Sequence, residues 1–369
     1  MPIDSNIRKL IQQSGYITVD QMMHYALAAT TASYYRQQTS LGETGDFITA
    51  PEISQMFGEI IGIWCIEQWR RLGRPANIGI IELGPGSGLL MRDLLRSIQQ
   101  LAPEFYNAVH VQLMEINQHF IGIQQKNLSK YDINIKWVTT LNEINASPVL
   151  IIANEFFDVL AIKQYIKIRE DWHEVIVAMD PLDGKVKFDK IFIQKKELQA
   201  QLKQDHVNAR DGAVIEESPE SLALVRLISS HLKKYSGASL IIDYGYNIKL
   251  QHRNRTHYNS TLQAVKDHQY YPLLENLGEA DISAHVDFNA LRNTALLQGL
   301  EISEYTTQRE FLMKYGIIQR AHKLRSTLVA DEKQIIDKQV SRLIAESQMG
   351  NLFKVLTLFN RVKRTQILL

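Results

Sequence analysis

The chain has 369 residues, which is long for one compact domain of about 100–200 residues. Hydrophobic residues make up 45% and charged residues 22%, values that exclude a disordered or fibrous chain and predict a substantial buried core. The 41 basic and 40 acidic residues nearly balance, and a net charge of +1 argues against a nucleic-acid partner, which usually requires a basic excess. The single cysteine, Cys65, excludes a disulfide within the chain.

The N-terminal residues and the hydropathy of the chain indicate in which cellular compartment we expect the protein. Residues 1–6 carry neither the charged and apolar regions of a secretory signal nor the arginine-rich composition of a transit peptide. No segment approaches the roughly 18 consecutive apolar residues that a membrane-spanning helix needs. We therefore expect a cytoplasmic protein without a membrane span, and the sequence leaves its oligomeric state open.

Helical patterns dominate the first 75 residues. Residues 3–35 are predicted to be helical, and the polar, glycine-containing residues 36–50 to form a loop. A strong helix is expected to begin at Pro51, because proline is favoured at the first helical position. We expect residues 1–75 to form a helical N-terminal region that packs on the core.

Short apolar runs then alternate with helical segments. Four strands are predicted, at residues 78–83, 109–115, 133–138 and 149–153. Strands that alternate with helices indicate βαβ units and a parallel sheet with both faces covered. The predicted fold class is therefore α/β, with a Rossmann-like core over residues 76–250.

The pattern changes beyond residue 160. The predicted elements there are antiparallel strands at 162–168, 172–178 and 186–193, a helix at 219–234, and buried strands at 238–243 and 352–359. The three antiparallel strands predict an insertion into the core around residues 162–215. The remaining residues, 251–369, are expected to form a mostly helical α+β region that completes the sheet and covers the site.

A glycine-rich turn, Gly84-Pro85-Gly86-Ser87-Gly88, directly follows the first predicted strand. Glycines allow a sharp turn and let a ligand approach the backbone, and the helix that follows presents free N–H groups. A dinucleotide-binding turn has the pattern G-x-G-x-x-G/A, whereas its last position here is Leu89. The acid before the turn, Glu82, suits a cation such as the ammonium group of S-adenosylmethionine and does not suit a pyrophosphate. We therefore predict that Glu82, Gly84, Pro85, Gly86 and Gly88 bind S-adenosylmethionine.

Two further residues at strand ends fit the adenosyl part of the same cofactor. Glu115 ends the second predicted strand, where a carboxylate can accept hydrogen bonds from both ribose hydroxyls. Trp137 lies on the third predicted strand and is expected to pack on the adenine ring. An ordinary strand end for Glu115 and a core aromatic for Trp137 are the alternatives.

The fourth predicted strand leads into Asn154-Glu155-Phe156-Phe157-Asp158. Ligands of open parallel sheets bind at the carboxyl ends of strands, so this acidic segment is expected to face the cofactor's methyl group. Asn154 is predicted to contact the cofactor, and Glu155 and Asp158 to act in catalysis, together with Asp243 at the end of a later strand. The alternative is a loop of capping residues, because Asn and Asp favour turns. Histidine and cysteine spacings typical of a zinc site are absent from the sequence, so no metal is expected.

Several segments together resemble the MidA-like family of class I S-adenosylmethionine-dependent methyltransferases. The segments that carry the resemblance are residues 45–59, which include Asp46, residues 82–88 with the glycine turn, the acidic segment 154–158, and residues 217–219, 243–245, 278–288 and 349–356. The resemblance implies a seven-stranded methyltransferase sheet and brings Asp46 into the predicted cofactor site. Because mitochondrial members are associated with complex I assembly and arginine dimethylation, it also implies a protein arginine as the methyl acceptor.

The sequence thus predicts a methyltransferase, and the resemblance implies that it acts on a protein arginine. Two alternatives stay open at this point. One is a scaffold or assembly protein that binds the cofactor without turnover, and the other is an NAD-dependent oxidoreductase, against which Leu89 counts.

Overall fold

A computed structural model describes residues 3–38, 48–144, 147–246, 259–326 and 328–361. Within them, the helices are α1 (Ile3–Ser14), α2 (Val19–Leu27), α3 (Tyr34–Gln37), α4 (Ala50–Ile53), α5 (Gln55–Arg71), α6 (Leu89–Leu101), α7 (Pro103–Ala108), α8 (Gln118–Leu128), α9 (Lys196–Asp205), α10 (Pro219–Tyr235), α11 (Phe288–Leu297), α12 (Gln308–Lys314), α13 (Ile317–Arg325), α14 (Ala330–Ile344) and α15 (Met349–Leu352). The strands are β1 (Tyr16–Thr18), β2 (Ile78–Leu83), β3 (Val109–Met114), β4 (Ile135–Val138), β5 (Val149–Asn154), β6 (Lys163–Ile168), β7 (Asp171–Met179), β8 (Val186–Phe192), β9 (Val214–Glu217), β10 (Gly237–Tyr246), β11 (Gln263–Lys266), β12 (Gln269–Tyr271), β13 (Asp281–Ser283), β14 (Val286–Asp287), β15 (Glu301–Thr307) and β16 (Phe353–Asn360).

The chain folds into two units, each assembled from segments that are distant in sequence. Unit 1 comprises Met1–Gln38, Asp158–Ala223 and Asn247–Asp287, and unit 2 comprises Thr39–Phe157, Leu224–Tyr246 and Phe288–Leu369. These units group the chain differently from the three consecutive regions expected from the sequence, whose roles stay a prediction.

The sheet of unit 2 confirms the predicted α/β class. Seven strands follow one another in the order β15-β16-β10-β5-β2-β3-β4. The five strands from β10 to β4 are parallel, and β16 and β15 continue the sheet in antiparallel pairing. The strand that precedes the acidic segment, β5, lies directly beside β2, which leads into the glycine turn. The topology therefore brings the two chemical motifs to one edge of the sheet.

Burial explains why these strands were recognisable in the sequence. Every residue of β2 and β5 is buried, as expected for parallel strands whose two faces are both covered by helices. On one face, α5 packs closely on α6, since a Cβ at Gly58 would lie 2.8 Å from Asp93 Cβ and one at Gly62 would lie 3.0 Å from Ser97 Cβ. Glycines at both positions therefore let the two helix backbones approach each other.

The helix predicted to begin at Pro51 is interrupted. Ser54 is extended, with φ −158°, so that α4 ends before it and α5 begins after it. The Ser54 hydroxyl accepts a hydrogen bond from the Met56 N–H, which is the usual role of serine before a helix. The sequence prediction of one continuous helix was wrong here because a capping serine competes with helical hydrogen bonding.

Unit 1 contains two antiparallel sheets. One has the order β1-β7-β6-β9 with β8 paired to β7, and the other has the order β12-β11-β13. The antiparallel strands predicted after residue 160 are confirmed, but residues 3–35 are not one helical segment. Gly15, with φ +85°, ends α1, and β1 then pairs with β7 before α2 begins. The strands β11 to β13 were also missed in a region predicted to be mostly helical.

None of the helices in the described part of the chain combines the length and apolar character that crossing a membrane requires.

Candidate active site

The glycine turn between β2 and α6 has a backbone that side chains other than glycine rarely adopt. Gly84, Gly86 and Gly88 have φ values of +62°, +52° and +77°, in the left-handed region. A Cβ on Gly84 would lie 2.8 Å from the Phe156 ring, and one on Gly88 would lie 3.2 Å from Gln124 Cγ. The turn, which includes Pro85, therefore exposes backbone with few side chains. Phe156 and Gln124 pack against it, and a ligand can approach its backbone closely.

Glu82 is the second-to-last residue of β2 and is 3% exposed. Burial, together with the nearby charge of Glu115, raises its pKa to about 8. Its Oε2 atom is buried and has no hydrogen-bond partner among the described residues. An orphaned buried carboxyl oxygen is costly unless a ligand satisfies it, so the residue fits the ammonium group that the sequence predicted there.

Glu115 follows β3 and is held by three donors. Its Oε1 atom accepts hydrogen bonds from the N–H groups of Ile116 and Asn117, both at 2.8 Å, and its Oε2 atom accepts one from Gln124 Nε2 at 3.2 Å. Burial raises the pKa of Glu115, whereas the three donors oppose that change. The carboxylate is thereby fixed in one plane at the carboxyl end of the sheet. Oε1 already accepts two hydrogen bonds, whereas Oε2 accepts one and keeps a lone pair for a ligand hydroxyl.

Gln124 on α8 is a site residue that sequence reasoning missed. It is fully buried, and its amide contacts the glycine turn, Glu115 and Trp137. Trp137, partly buried on β4, donates its indole N–H to Gln124 Oε1 at 2.7 Å. A lone glutamine within an amphipathic helix carries no motif, and only the packing of α8 on the turn reveals it.

The acidic segment begins where β5 ends. Glu155 has φ +50°, which is strained for a residue with a side chain. Its Oε1 atom accepts hydrogen bonds from the Ala50 N–H at 3.0 Å and from Asn154 Nδ2 at 3.1 Å. Asn154 is buried, and its own Oδ1 atom has no hydrogen-bond partner among the described residues. The segment thus presents a positioned carboxylate beside an amide oxygen that a ligand donor could satisfy.

Asp243, fully buried on β10, holds this segment in place. Its Oδ2 atom accepts hydrogen bonds from the N–H groups of Phe156 at 3.1 Å and Phe157 at 2.9 Å. Its Oδ1 atom accepts one from the N–H of Tyr244 at 2.9 Å. Because both oxygens bind main-chain donors, the geometry favours a positioning role for Asp243 over the direct catalytic role expected from the sequence.

Asp158 belongs to unit 1 and is described there. Its main-chain oxygen accepts a hydrogen bond from the Ala284 N–H at 2.9 Å. The pKa of Tyr35 is raised well above its ordinary value by burial, then by the charges of Asp281 and Asp158. Asp158 therefore lies close to Tyr35, whose hydroxyl donates to Asp281. Asp46, also predicted for the cofactor site, lies outside the described residues.

The cofactor expected from the sequence fits this edge on structural grounds. The glycine turn offers a backbone cradle for the ligand. The Glu82 oxygen without a partner suits a cation, and the fixed Glu115 carboxylate suits a hydroxyl group. A pyrophosphate would instead place negative charge near Glu82, so an NAD-dependent oxidoreductase is disfavoured.

Several curated relatives that match the chain are methyltransferases by name. The mitochondrial protein arginine methyltransferase NDUFAF7 of Xenopus tropicalis is 30% identical over 96% of this chain and 85% of its own length. The human protein of the same name is 32% identical over 86% of this chain and 74% of its own length. These names overturn the expected cytoplasmic location, which is wrong: it rested on the composition of the first residues, which does not decide a compartment.

A solved structure and a family model also match the chain. The structure of a protein from Burkholderia thailandensis, bound to S-adenosyl-homocysteine, superimposes with a TM-score of 0.84 over 97% of this chain and 92% of its own, at 23% identity, and supports the fold. A model of a family described as "S-adenosyl-L-methionine-dependent methyltransferase" matches residues 60–306. The chain therefore belongs to this family of S-adenosyl-L-methionine-dependent methyltransferases.

Proposed function

We propose that the methyl acceptor of this enzyme is an arginine side chain of a protein. The names of the curated relatives, which align over most of the chain, support this acceptor. The observation that carries the proposal is the placement of Glu155. Its carboxylate lies at the end of β5, and the ring of the next residue, Phe156, covers Gly84 of the glycine turn.

The cofactor site proposed here follows the sheet edge from β2 to β4. Gly84, Pro85, Gly86 and Gly88 form the backbone cradle, and Glu82 binds the ammonium group. Glu115 binds the ribose hydroxyls, and Trp137 packs on the adenine. Asn154, with its unsatisfied Oδ1 atom, offers an acceptor to the same ligand. When bound, the cofactor supplies an electrophilic methyl group on a sulfonium.

An arginine acceptor places a particular demand on the protein. Its guanidinium is protonated at neutral pH and its lone pairs are delocalised, so that the nitrogen is a poor nucleophile. A carboxylate can bind the planar guanidinium and concentrate positive charge on the nitrogens it contacts. It also stabilises the added charge as the S–C bond breaks and the N–C bond forms, before a proton leaves the nitrogen.

Glu155 is suited to this role because the protein fixes its position. The Ala50 N–H and Asn154 Nδ2 both donate to Oε1, and Asp243 holds the two following main-chain N–H groups. A carboxylate held by such contacts needs little reorganisation when charge develops, which is how fixed polar groups accelerate reactions. Asp158, the second predicted catalytic acid, stays a prediction for the same chemistry.

The acceptor can be identified directly. Purified enzyme and cofactor labelled in the methyl group are incubated with a lysate from cells that lack the endogenous enzyme, and the labelled protein is hydrolysed to amino acids. The proposal expects the label in methylated arginine. Label in methyl-lysine, or only in small molecules, contradicts an arginine acceptor and leaves the methyltransferase assignment intact.

Replacing Glu155 tests the catalytic role. Glu155→Gln keeps the size of the side chain and removes its charge, so we expect methyl transfer to fall by about 100-fold, as for the loss of one electrostatic contact in a transition state. Affinity for S-adenosyl-homocysteine, measured by calorimetry, should stay within about 3-fold of the unmodified protein. The matched control is Glu301→Gln. Glu301 lies on β15 and pairs with Arg71, so this variant also removes one carboxylate charge, and it should leave transfer unchanged. Undiminished transfer by folded Glu155→Gln protein would remove Glu155 from catalysis.

A further inference from the structure

We propose that Gln124 is a positioning residue that orients the adenosyl-binding surface of the cofactor site. The proposal rests on the assignment of Glu115 and Trp137 made above. Gln124 lies on α8, which begins after the Asn117 cap, and its amide bridges three elements that meet at the sheet edge. These are the glycine turn through the Gly86 oxygen, the end of β3 through Glu115, and β4 through Trp137.

The three contacts are compatible with one orientation of the amide. The indole N–H of Trp137 can only donate, so the atom that faces it at 2.7 Å must be the amide oxygen. The Nε2 atom then donates its two hydrogens to the Gly86 oxygen at 2.7 Å and to Glu115 Oε2 at 3.2 Å. If the amide were rotated by 180°, its NH₂ group would face the indole N–H of Trp137, which is also a donor. Its oxygen would face the oxygen atoms of Gly86 and Glu115, which are also acceptors. With no exposed surface, Gln124 has no water to replace these partners.

This network decides how Glu115 meets a ribose. Main-chain donors from Ile116 and Asn117 reach only Oε1, so Gln124 supplies the side-chain donor to Oε2 that completes the fixation of the carboxylate plane. Oε1 already accepts two hydrogen bonds, so the lone pair that Oε2 keeps, in a direction set by Gln124, is the one that ribose hydroxyls can use. Without Gln124, the carboxylate could rotate about Oε1, and the cofactor would have to order it on binding.

The same residue explains the third glycine of the turn. A Cβ at Gly88 would lie 3.2 Å from Gln124 Cγ and 3.4 Å from its Cα, so α8 packs directly against the start of α6. The pattern G-x-G-x-G, which separates this turn from dinucleotide-binding turns, therefore leaves space for Gln124. The glycine turn and the adenosyl-binding residues are coupled through one buried side chain.

The test replaces Gln124 with methionine, which is similar in length and has no donor. We expect the dissociation constant of S-adenosyl-homocysteine, measured by calorimetry, to rise by about 10- to 100-fold, as for the loss of hydrogen bonds that involve a charged group. Asn127→Leu is the matched control, because Asn127 lies one turn further along α8 and bonds the same turn through the Ser87 oxygen at 2.8 Å without contacting Glu115 or Trp137. The control should change affinity by less than about 3-fold.

A pair of double-mutant comparisons separates positioning from general destabilisation. Because Gln124 acts through Glu115, combining Gln124→Met with Glu115→Ala should weaken binding by clearly less than the product of the single effects. Combining Gln124→Met with Glu82→Gln should give the full product, since Glu82 is assigned to the methionyl end of the ligand. Trp137→Phe, which removes the indole N–H together with one of the two fused rings, should weaken binding several-fold and serves if Gln124→Met does not fold.

The outcomes distinguish this inference from the site assignment on which it rests. If Glu115→Ala itself leaves affinity unchanged, the assignment of the ribose contact fails. If Glu115→Ala weakens binding and Gln124→Met does not, or if their effects multiply fully, Gln124 has no positioning role. Equal losses in Gln124→Met and Asn127→Leu would likewise overturn the inference, because both would then reflect only packing of α8 on the turn.

Discussion

Three carboxyl groups along the cofactor edge are buried, and the protein satisfies them to different degrees. Asp243 binds main-chain donors with both oxygens, and Glu115 binds three donors. Glu82 has a buried oxygen without a partner among the described residues, and its pKa is raised to about 8. A buried carboxyl of this kind stays protonated at neutral pH unless a cation approaches. The number of hydrogen bonds that each carboxyl group accepts from the protein therefore separates a structural acid, such as Asp243, from a ligand-binding acid, such as Glu82.

The raised pKa of Glu82 predicts pH-dependent cofactor binding. Below pH 8 the free protein holds a proton on Glu82, and the ligand's ammonium group must displace it, so binding releases a proton. Affinity should therefore rise as the pH increases from 6 towards 8, and fall at higher pH where the ligand amine loses its own charge. Calorimetry in two buffers of different ionisation enthalpy measures the released proton directly.

The same shift has a consequence for the free protein. A carboxyl whose pKa is higher in the folded state stabilises folding below its unfolded value and loses that contribution as the pH rises through about 8. Glu82→Gln should abolish the proton release on ligand binding and the rise in affinity between pH 6 and 8. It should also lower the affinity at pH 8. Proton release that persists in Glu82→Gln would assign the effect to another group.

Gly86 offers a test of the turn at a single backbone position. Its φ of +52° disfavours a β-branched residue, and a side chain there would stand where the ligand approaches. We expect Gly86→Val to lose measurable binding of S-adenosyl-homocysteine by calorimetry while remaining folded by circular dichroism. Gly184→Val is the control for backbone strain, because Gly184 has φ +69° and open space around its Cβ position. Normal affinity in folded Gly86→Val protein would rule out this turn as the cofactor cradle.

At the scale of elements, the acidic segment depends on a strand that lies far away in the chain. Asp243 and the N–H groups it binds are separated by 86 and 87 residues, and they meet because β10 pairs in parallel with β5. The pairing places Ile242 opposite Asn154, so the next residue on β10 lies beside the turn of the acidic segment. Strand register, more than local sequence, therefore sets the position of Glu155.

Asp243→Asn tests this dependence. The asparagine amide has one oxygen acceptor, and its NH₂ group would face a main-chain N–H, which is also a donor. At least one buried hydrogen bond is therefore lost. We expect the free energy of unfolding to fall by about 1–3 kcal/mol, measured by denaturant titration. Methyl transfer should fall further than affinity for S-adenosyl-homocysteine, since the segment that loosens carries Glu155. Asp189→Asn, at an exposed position on β8, should leave all three quantities unchanged.

Sequence patterns predicted the elements of the parallel sheet well, because each is a local signal. The continuous apolar runs of β2 and β5 correspond to strands buried on both faces, and their observed bounds differ from the predicted ones by one residue at most. Two of the failures occurred where a single residue changes the backbone. Ser54 divides the predicted helix, and Gly15 ends α1 so that β1 can join a sheet.

For the whole molecule, cofactor binding should stabilise the fold. A ligand that binds only the folded state at 100 times its dissociation constant contributes about 2.7 kcal/mol, which corresponds to a rise in Tm of several degrees for a domain of this size. We expect S-adenosyl-homocysteine to raise the Tm in a thermal-shift assay and NAD to leave it unchanged. An equal rise with NAD would contradict the interpretation of Glu82 and the glycine turn.

Read without its fold, the sequence established the α/β class, the glycine turn and the acidic segment, because periodicity and backbone freedom are properties of neighbouring residues. Folding was needed to find Gln124 and to show that Asp243 binds main-chain donors. Folding was also needed to show that the two units interleave segments from across the chain. These features depend on which buried donors and acceptors meet after strands distant in sequence have paired, and a buried polar group takes its role from the partners that satisfy it.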